Sequence, residues 1–185
     1  YLTRSVSSDR MKRVLLINPF YPVSETPSPP LGLAYLAGAL EAAGAAVRLL
    51  DGVVVSLTAE HLEKELNAFR PHWVGVTAVT MTVNRALEIV RQAKAIDPEV
   101  RTVMGGPHAT FAAESTLRQM PALDVIVRGE GEASFTELVA ADENQCEWKA
   151  IEGLSFRREA AILHTADRSA PVDINTLPPP ARHLI

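Results

Sequence analysis

Four segments of the sequence combine glycines, hydroxyl groups and titratable side chains in patterns that suit ligand binding. They are residues 18–32, 77–82, 105–108 and 128–132. The pair Gly105-Gly106 removes side chains where a backbone must approach a flat or bulky ligand closely. The hydroxyls of Thr77, Thr80 and Thr82 and nearby helix N-terminal amides suit amide or phosphate oxygens. These segments are therefore the candidate binding loops.

Each candidate loop follows a short apolar run that is predicted to form a buried strand. These runs cover residues 14–17, 46–50, 73–77, 100–104 and 124–127. Helical patterns alternate with them over residues 31–43, 58–69, 84–96, 111–119 and 132–141. The alternation predicts right-handed βαβ units and a parallel sheet. We predict a doubly wound, flavodoxin-like (Rossmann-like) α/β fold of strand order 2-1-3-4-5, because five strands are too few for the longer nucleotide-binding order.

In an open α/β sheet, ligands bind in the crevice beyond the carboxyl ends of the strands, where the four loops converge. The proline-rich first loop is long enough to fold over a ligand as a lid. The alternative interpretation is that the glycines only make the tight turns that such folds require anyway.

Known phosphate-binding motifs are missing from these loops. No GxGxxG follows the first strand and no GxxxxGK[ST] occurs, so dinucleotide and nucleoside triphosphate binding are disfavoured. A phosphoacceptor receiver domain would need acidic residues at the ends of strands 1 and 3. This sequence has Asn18 and Thr77 there, which argues against a receiver.

Histidine and glutamate are the titratable candidates. His108 lies in the glycine loop and could donate to a carbonyl, ligate a metal or stabilise the turn, whereas His72 precedes strand 3 on the opposite rim and is interpreted as structural. Glu130 and Glu132 could bind ligand amides or cap the last helix, and capping is favoured for Glu132. No histidine pair has metal-ligand spacing and no nucleophile–base pair lies at the rim. We therefore predict neither a protein-held metal nor a catalytic residue.

The C-terminal part breaks the alternating pattern. Residues 153–157 and 160–164 resemble the strands of a small hairpin that turns at Arg158-Glu159, and three prolines stiffen residues 175–185. We predict a disordered or tag-derived segment at 1–10, an α/β domain at 11–142, a hairpin extension at 143–170 and a linker at 171–185. A chain with such a linker is expected to be a fragment of a longer protein.

Composition limits the remaining possibilities. The chain has 185 residues, of which 47% are hydrophobic, and a formal net charge of −4, so it has no basic footprint for nucleic acid. No apolar run reaches the roughly 20 residues of a membrane span, and no signal peptide is visible. A single cysteine, Cys146, excludes a disulfide framework, a cysteine-rich zinc site and a self-contained iron–sulfur cluster. A reducing, cytoplasmic setting is expected.

Four motifs in order carry a resemblance to a known family: LLINP at 15–19, PPLGLAYLA at 29–37, GGPHAT at 105–110 and RGEGE at 128–132. Together they resemble the N-terminal cobalamin (vitamin B12)-binding domain of B12-dependent radical SAM enzymes. That group includes methyltransferases and the anaerobic magnesium-protoporphyrin ester cyclase. The segment LPPPAR at 177–182 is similar to the family's linker into the radical SAM barrel.

The resemblance implies that cobalamin lies across the carboxyl ends of the strands, with its nucleotide tail beside the sheet. It implies that the first loop borders the reactive face and that the other loops meet the corrin or the tail. The implied cofactor-binding residues are Asn18, Pro30, Leu31, Thr77, Thr80, Met81, Thr82, Gly105, Gly106, Pro107, His108, Arg128, Gly129, Glu130 and Gly131.

The resemblance also implies how cobalamin would be ligated and which domain would be the partner of this one. Mutases and methionine synthase have an Asp-x-His-x-x-Gly loop after strand 1, whereas residues 18–23 here read NPFYPV. Base-off cobalamin without a histidine ligand is therefore expected. The implied partner is the radical SAM barrel of the same polypeptide, which would bind S-adenosylmethionine and a [4Fe-4S] cluster through a Cys-x₃-Cys-x₂-Cys loop. One cysteine cannot form that loop, so this chain resembles a non-catalytic part of a methyltransferase or oxidative cyclase.

The alternative function is a flavodoxin-like regulatory or interaction module that holds no B12 or binds another flat cofactor such as flavin. A flavin site would favour stacking aromatic residues on the loops after strands 1 and 3. Only Phe20 and Tyr21 meet that requirement.

Overall fold

The structure is a computed structural model that describes residues 11–21, 28–141, 145–159, 161–168 and 173–185. The predicted disordered or tag-derived segment 1–10 and residues 22–27 of the predicted lid loop lie outside these ranges. So does Ala160, with which the second predicted hairpin strand begins.

In the described part of the chain, the apolar runs form seven strands in one sheet. They are β1 (Arg13–Asn18), β2 (Ala46–Asp51), β3 (Trp73–Thr77), β4 (Arg101–Gly105), β5 (Val125–Val127), β6 (Leu154–Arg158) and β7 (Ala161–His164). The sheet order is β2-β1-β3-β4-β5-β6-β7, and the first five strands are parallel. The predicted flavodoxin-like order of these five strands is confirmed.

The helices cover both faces of this sheet. They are α1 (Leu31–Ala42), α2 (Ala59–Phe69), α3 (Val83–Ile96), α4 (Pro107–Phe111), α5 (Ala113–Gln119), α6 (Gly131–Ala140) and α7 (Gln145–Trp148). One apolar layer joins the sheet to α2, α3 and α5, and the other joins it to α1 and α6. The central strands are buried on both faces because both layers pack against them.

Local sequence signals set several helix ends. Thr58 caps α2, where its Oγ1 accepts a hydrogen bond from the His61 amide at 3.1 Å. Gly44 follows α1 with a φ of +88°, a conformation that favours glycine after a helix. Two helical features differ from expectation: a helix already begins at Pro107 and is interrupted at Ala112. The short helix α7 was not predicted, because four residues carry no periodic pattern.

The C-terminal hairpin continues the main sheet instead of forming a separate unit. β6 pairs antiparallel with β5, and β7 pairs antiparallel with β6. The predicted turn is present, and Glu159 adopts a φ of +55°. The hairpin therefore covers the edge of β5, which would otherwise expose unpaired backbone groups.

Residues 177–185 pack back onto α1. The Ala181 amide donates to the Ala34 carbonyl at 2.8 Å, and His183 Nε2 lies 3.0 Å from Glu41 Oε1. Ala181 is buried. The stiff segment predicted from its prolines is thus attached to the helix that borders the candidate site. None of the helices in the described ranges is long and apolar enough to cross a membrane.

Candidate functional site

A cavity of about 740 Å³ opens at the carboxyl ends of the parallel strands. It continues along the face of the sheet that packs against α1 and α6. Eleven of the fifteen cofactor-binding residues implied by the resemblance line it: Asn18, Pro30, Thr77, Thr80, Met81, Thr82, Gly105, Gly106, Gly129, Glu130 and Gly131. The predicted convergence of the four loops therefore produces one continuous space.

The end of β1 is fixed by polar contacts with the end of β2. Asn18 Nδ2 donates to Asp51 Oδ1 at 2.9 Å, and the Val53 amide donates to the same oxygen at 3.1 Å. A Cβ on Gly52 would lie only 2.8 Å from the Asn18 carbonyl oxygen. The amide of Asn18 at the cavity wall is consequently held by the neighbouring strand.

The loop after β3 forms a compact turn at the mouth of the cavity. The Val79 amide donates to Thr82 Oγ1 at 3.1 Å, and the Thr82 side chain is buried. Met81 is exposed, and the Tyr21 hydroxyl donates to its sulfur at 3.4 Å. This contact joins the loops after β1 and β3 beside the opening.

Glycine is required at position 106 in the loop after β4. Gly106 has a φ of +92°, and a Cβ there would lie 2.7 Å from the Ala78 carbonyl oxygen and 2.8 Å from Thr77 Oγ1. The Ala78 amide donates to the Gly105 carbonyl at 2.9 Å, and the His108 amide donates to the Ala78 carbonyl at 3.1 Å. The backbones of the two loops approach so closely because Gly106 has no side chain.

The floor of the cavity is apolar. A Cβ on Gly75 would lie 2.9 Å from Leu16 Cδ2, 3.4 Å from Val103 Cγ1 and 3.6 Å from Phe135 Cε1. Leu36 of α1 completes this surface. The polar rim and the apolar floor together suit a ligand with one polar region and one buried, largely non-polar region.

Helix α6 begins at the cavity with two glutamates. Glu130 precedes the helix and is exposed, and α6 has no side-chain hydrogen bond at its N-cap. Glu132 lines the cavity, and its Oε2 is buried without a hydrogen-bond partner among the described residues. Glu132 lies in the first turn of α6, where the favoured capping interpretation places it, and it makes no side-chain hydrogen bond at the N-cap.

Four of the singled-out residues do not line the cavity. Leu31 is exposed at the start of α1, and Pro107 is the first residue of α4. His108 is half-buried, and its Nδ1 lies 3.3 Å from Thr80 Oγ1. The side chain of Arg128 turns towards the hairpin, where its Nη2 donates to the Thr165 carbonyl at 2.6 Å.

Several deep residues of the cavity were not singled out from the sequence. They are Leu16, Leu33, Leu36, Gly75, Val76, Val103, Val127 and Phe135. In the sequence they look like ordinary core positions, because apolar strands and helix faces are expected to pack without a gap. Gly75 within a strand was the one available signal, since such a glycine can mark a close approach or a space.

Within the described residues, no group of three or more His, Cys, Asp or Glu side chains could hold a metal ion. The histidines are engaged elsewhere: His72 Nδ1 accepts the Arg13 amide hydrogen at 2.9 Å, on the opposite rim from the cavity. None of the five histidines lines the cavity in this part of the chain.

Comparison with known families identifies the fold. The profile of the B12 binding domain matches residues 22–139, more than half of the chain. The chain belongs to the B12-binding domain family. The cavity of this B12-binding domain lies mostly between residues of the matched segment.

Full-length relatives are longer than this B12-binding domain. An uncharacterised methyltransferase of Pyrococcus horikoshii is 39% identical over 160 residues, which are 86% of this chain and 35% of the relative. The anaerobic magnesium-protoporphyrin IX monomethyl ester cyclase of Rubrivivax gelatinosus is 37% identical over 134 residues, 70% of this chain and 24% of the cyclase. The chain thus spans about a third or less of the length of these relatives.

Solved structures share the fold. The radical S-adenosylmethionine methyltransferase TsrM from Kitasatospora setae, with cobalamin and a [4Fe-4S] cluster bound, matches with a TM-score of 0.75 and 23% identity. The match covers 92% of this chain and 31% of TsrM. The cobalamin-dependent S-adenosylmethionine radical enzyme OxsB, with aqua-cobalamin and S-adenosylmethionine bound, matches with a TM-score of 0.73 and 21% identity, over 86% of this chain and 23% of OxsB.

Proposed function

We propose that this B12-binding domain holds cobalamin across the carboxyl ends of β1, β3, β4 and β5. The observation that carries the proposal is the 740 Å³ cavity that opens at these strand ends and continues between the sheet and helices α1 and α6. Its open rim has room for the corrin ring, and its deep part suits the nucleotide tail.

The chemistry of the lining supports this fit. Gly105, Gly106, Gly129 and Gly131 leave the rim free of side chains, so a flat ring can approach the backbone. The apolar floor ends at Phe135, which suits an aromatic base beside the sheet. Among the residues singled out from the sequence, we propose as cofactor-binding the eleven that line the cavity, with His108 supporting Thr80 from outside.

We propose that cobalamin binds with its base off and without a histidine ligand. The observation that supports this is the position of the histidines in the described part of the chain, since none lines the cavity and His108 is directed to Thr80. Bound cobalamin would supply methyl-group or radical chemistry at cobalt, whereas the protein would bind it, orient it and limit access of water.

The longer relatives support a role for this chain inside a larger enzyme. We propose that the whole protein is a B12-dependent radical SAM enzyme of methyltransferase or cyclase type, whose barrel binds S-adenosylmethionine and a [4Fe-4S] cluster. The single cysteine of the sequence does not provide three thiolates, so the cluster ligands would belong to other residues of the polypeptide. Residues 171–185 would be the connection to that barrel.

Cobalamin binding can be tested directly on the 185-residue chain. Purified protein is mixed with hydroxocobalamin, passed through a gel-filtration column and examined by visible absorption; we expect the corrin spectrum to elute with the protein. Gly131→Leu should abolish retention, because a Cβ there lies 3.7 Å from Leu36 Cδ1 and the larger side chain fills the cavity. Ala140→Leu, at the exposed far end of the same helix, is the matched control and should retain the cofactor.

Absence of a corrin spectrum in the wild-type fraction, with the protein folded by circular dichroism, would contradict the proposed function. The ligation state is read from the electron paramagnetic resonance spectrum of bound cob(II)alamin. We expect no splitting from a nitrogen ligand. A nitrogen splitting that disappears in His108→Ala would instead assign a histidine ligand and overturn the base-off proposal.

A further inference from the structure

The first turn of α6 directs a carboxylate into the cavity. Glu132 lines the cavity, and so does Phe135 three residues later on the same helix. Residues three apart in a helix share one face, so this face of α6 forms a wall of the cavity. Glu132 is the acidic residue of this wall.

The carboxylate of Glu132 has an unmet hydrogen-bonding requirement. Its Oε2 is shielded from solvent and has no hydrogen-bond partner among the described residues. Glu130, two residues earlier, is exposed and can be hydrated. A buried carboxylate oxygen without a donor is unfavourable, so such groups in native proteins call for a partner.

The described residues around the cavity do not provide that partner. No lysine or arginine of the described ranges lines the cavity. The dipole of α6 favours negative charge in its first turn, but a side-chain hydrogen bond at the helix N-cap is absent. A molecule that fills the cavity can supply the missing donor.

We infer that Glu132 is a cofactor-positioning residue whose buried carboxylate oxygen accepts a hydrogen bond from an amide N–H or a hydroxyl group of cobalamin. This inference rests on the proposed function. Cobalamin carries primary amides around the corrin ring and hydroxyl groups on the nucleotide tail, and both kinds of group can donate. Its phosphate can only accept and carries a negative charge, so it is excluded from contact with this oxygen.

The inference predicts a specific loss of affinity. Absorbance titration of the 185-residue chain with hydroxocobalamin should give a dissociation constant about ten- to a hundredfold higher for Glu132→Ala, the range expected for losing a hydrogen bond to a charged group. Glu132→Gln keeps an acceptor oxygen without the charge and should lose less. Glu137→Gln, on the same helix but exposed and outside the cavity, is the matched control and should bind like wild type.

The stability of the cofactor-free chain separates this role from a structural one. Because Oε2 has no partner in the described protein, its removal breaks no hydrogen bond within it, and Glu132→Ala should unfold in urea at the wild-type midpoint or above. A structural role would instead lower the midpoint. Wild-type affinity in Glu132→Ala, or a loss of affinity that only accompanies a lower unfolding midpoint, would overturn the inference.

Cobinamide, which lacks the nucleotide tail, distinguishes the two sources of the donor. If Glu132→Ala weakens binding of both cobalamin and cobinamide, the donor is a corrin amide. If it weakens binding of cobalamin alone, the donor is on the tail, and both results support the inference. If wild-type protein binds cobalamin and the variant binds it equally well, only this inference fails; if wild-type protein binds none, the proposed function fails and the inference with it.

Discussion

Gly106 makes it possible for the loops after β3 and β4 to meet at the rim of the cavity. Its φ of +92° belongs to a region that side-chain-bearing residues rarely adopt, and the space around its Cα is filled by Ala78 and Thr77. Gly129, also at the rim, has a φ of +70° but open space around it. The two glycines therefore differ in the free space beside their Cα atoms.

We predict that Gly106→Ala destabilises the cofactor-free chain more than Gly129→Ala. Both variants must hold alanine at positive φ, and such sparsely populated backbone conformations cost about 1–3 kcal/mol each. Only the first also places a Cβ 2.7 Å from a carbonyl oxygen, so its cost should be larger by about 1 kcal/mol or more. Urea denaturation followed by circular dichroism measures both free energies of unfolding. If the two variants lose the same free energy of unfolding, the overlap between the new Cβ at position 106 and the Ala78 carbonyl oxygen does not destabilise the chain.

The side chain of Arg128 attaches the β6–β7 hairpin to the end of β5. Its side chain is only 11% exposed, and the guanidinium donates to the Leu154 and Thr165 carbonyls, to Ser155 Oγ and to Asp167. These contacts lie on and beside the hairpin, so Arg128 fixes β6 and β7 to the end of β5. The resemblance implied a cofactor contact for this residue, whereas its side chain lies outside the cavity.

At the scale of the hairpin, we predict that Arg128→Met destabilises the chain by about 2–4 kcal/mol, because the hydrogen bonds of the largely buried guanidinium to the Leu154 and Thr165 carbonyls and to Ser155 Oγ are lost together. Asp167→Asn is the matched control: Asp167 is 85% exposed, and an exposed ion pair contributes about 1 kcal/mol at most. Urea denaturation gives the free energies, and hydrogen exchange should show faster exchange of the β6 and β7 amides in Arg128→Met. Equal stability of the two variants would contradict this assignment.

The attachment of residues 177–185 to α1 depends on another glycine. A Cβ on Gly38 would overlap the Pro179 carbonyl and would lie 3.5 Å from the Ala181 amide nitrogen. Gly32, on the same helix, has open space around it. The proline-rich segment can therefore pack against the backbone of α1 at Gly38 because this residue has no side chain.

We predict that Gly38→Val releases this segment from α1 while the sheet stays folded. Limited trypsin digestion should then cleave after Arg182 faster than in wild type, and the Ala181 amide should lose protection from hydrogen exchange. Gly32→Ala is the control for an added side chain on α1 and should leave both measurements unchanged. An unchanged cleavage rate in Gly38→Val would mean that other contacts hold the segment.

Most strands and helices could be predicted from the sequence because the residues that determine them are close together in the chain. The five parallel strands follow from apolar runs bounded by Asn18-Pro19 and similar stops, and the start of α2 follows from Thr58. The pairing of β6 with β5 was not predicted, since it joins segments that share no local signal. The same reason explains why the contact of Ala181 with α1 could not be read from the proline-rich sequence.

At the scale of the whole molecule, the rim of the site was predictable and its depth was not. Loops at strand ends must converge in a doubly wound sheet, so Thr77, Gly105 and Gly131 could be assigned to one site from topology alone. Leu36 and Phe135 border the cavity only because the packing of α1 and α6 against the sheet leaves a space there. Such a space depends on how side chains from distant parts of the chain pack together, so no sequence motif predicts it.

Filling this space should stabilise the whole fold. We predict that free cobalamin at 100 times its dissociation constant raises the free energy of unfolding by about 2.7 kcal/mol, because only the folded chain binds it. Urea denaturation with increasing cobalamin measures the effect, which should follow the logarithm of concentration with an unchanged denaturant slope. Gly131→Leu should unfold at the same urea concentration with and without cobalamin. A shift of the same size in this variant would locate binding outside the cavity.

Helix α1 has two attachments only one residue apart. Leu33 lines the cavity, while the carbonyl of Ala34 holds the Ala181 amide. A helix is stiff over one turn, so a mechanical load applied to residues 177–185 is transmitted through α1 to the wall of the cavity. In a single-molecule experiment that pulls on the C-terminal segment, the force needed to detach this segment from α1 should therefore differ between the empty and the filled cavity.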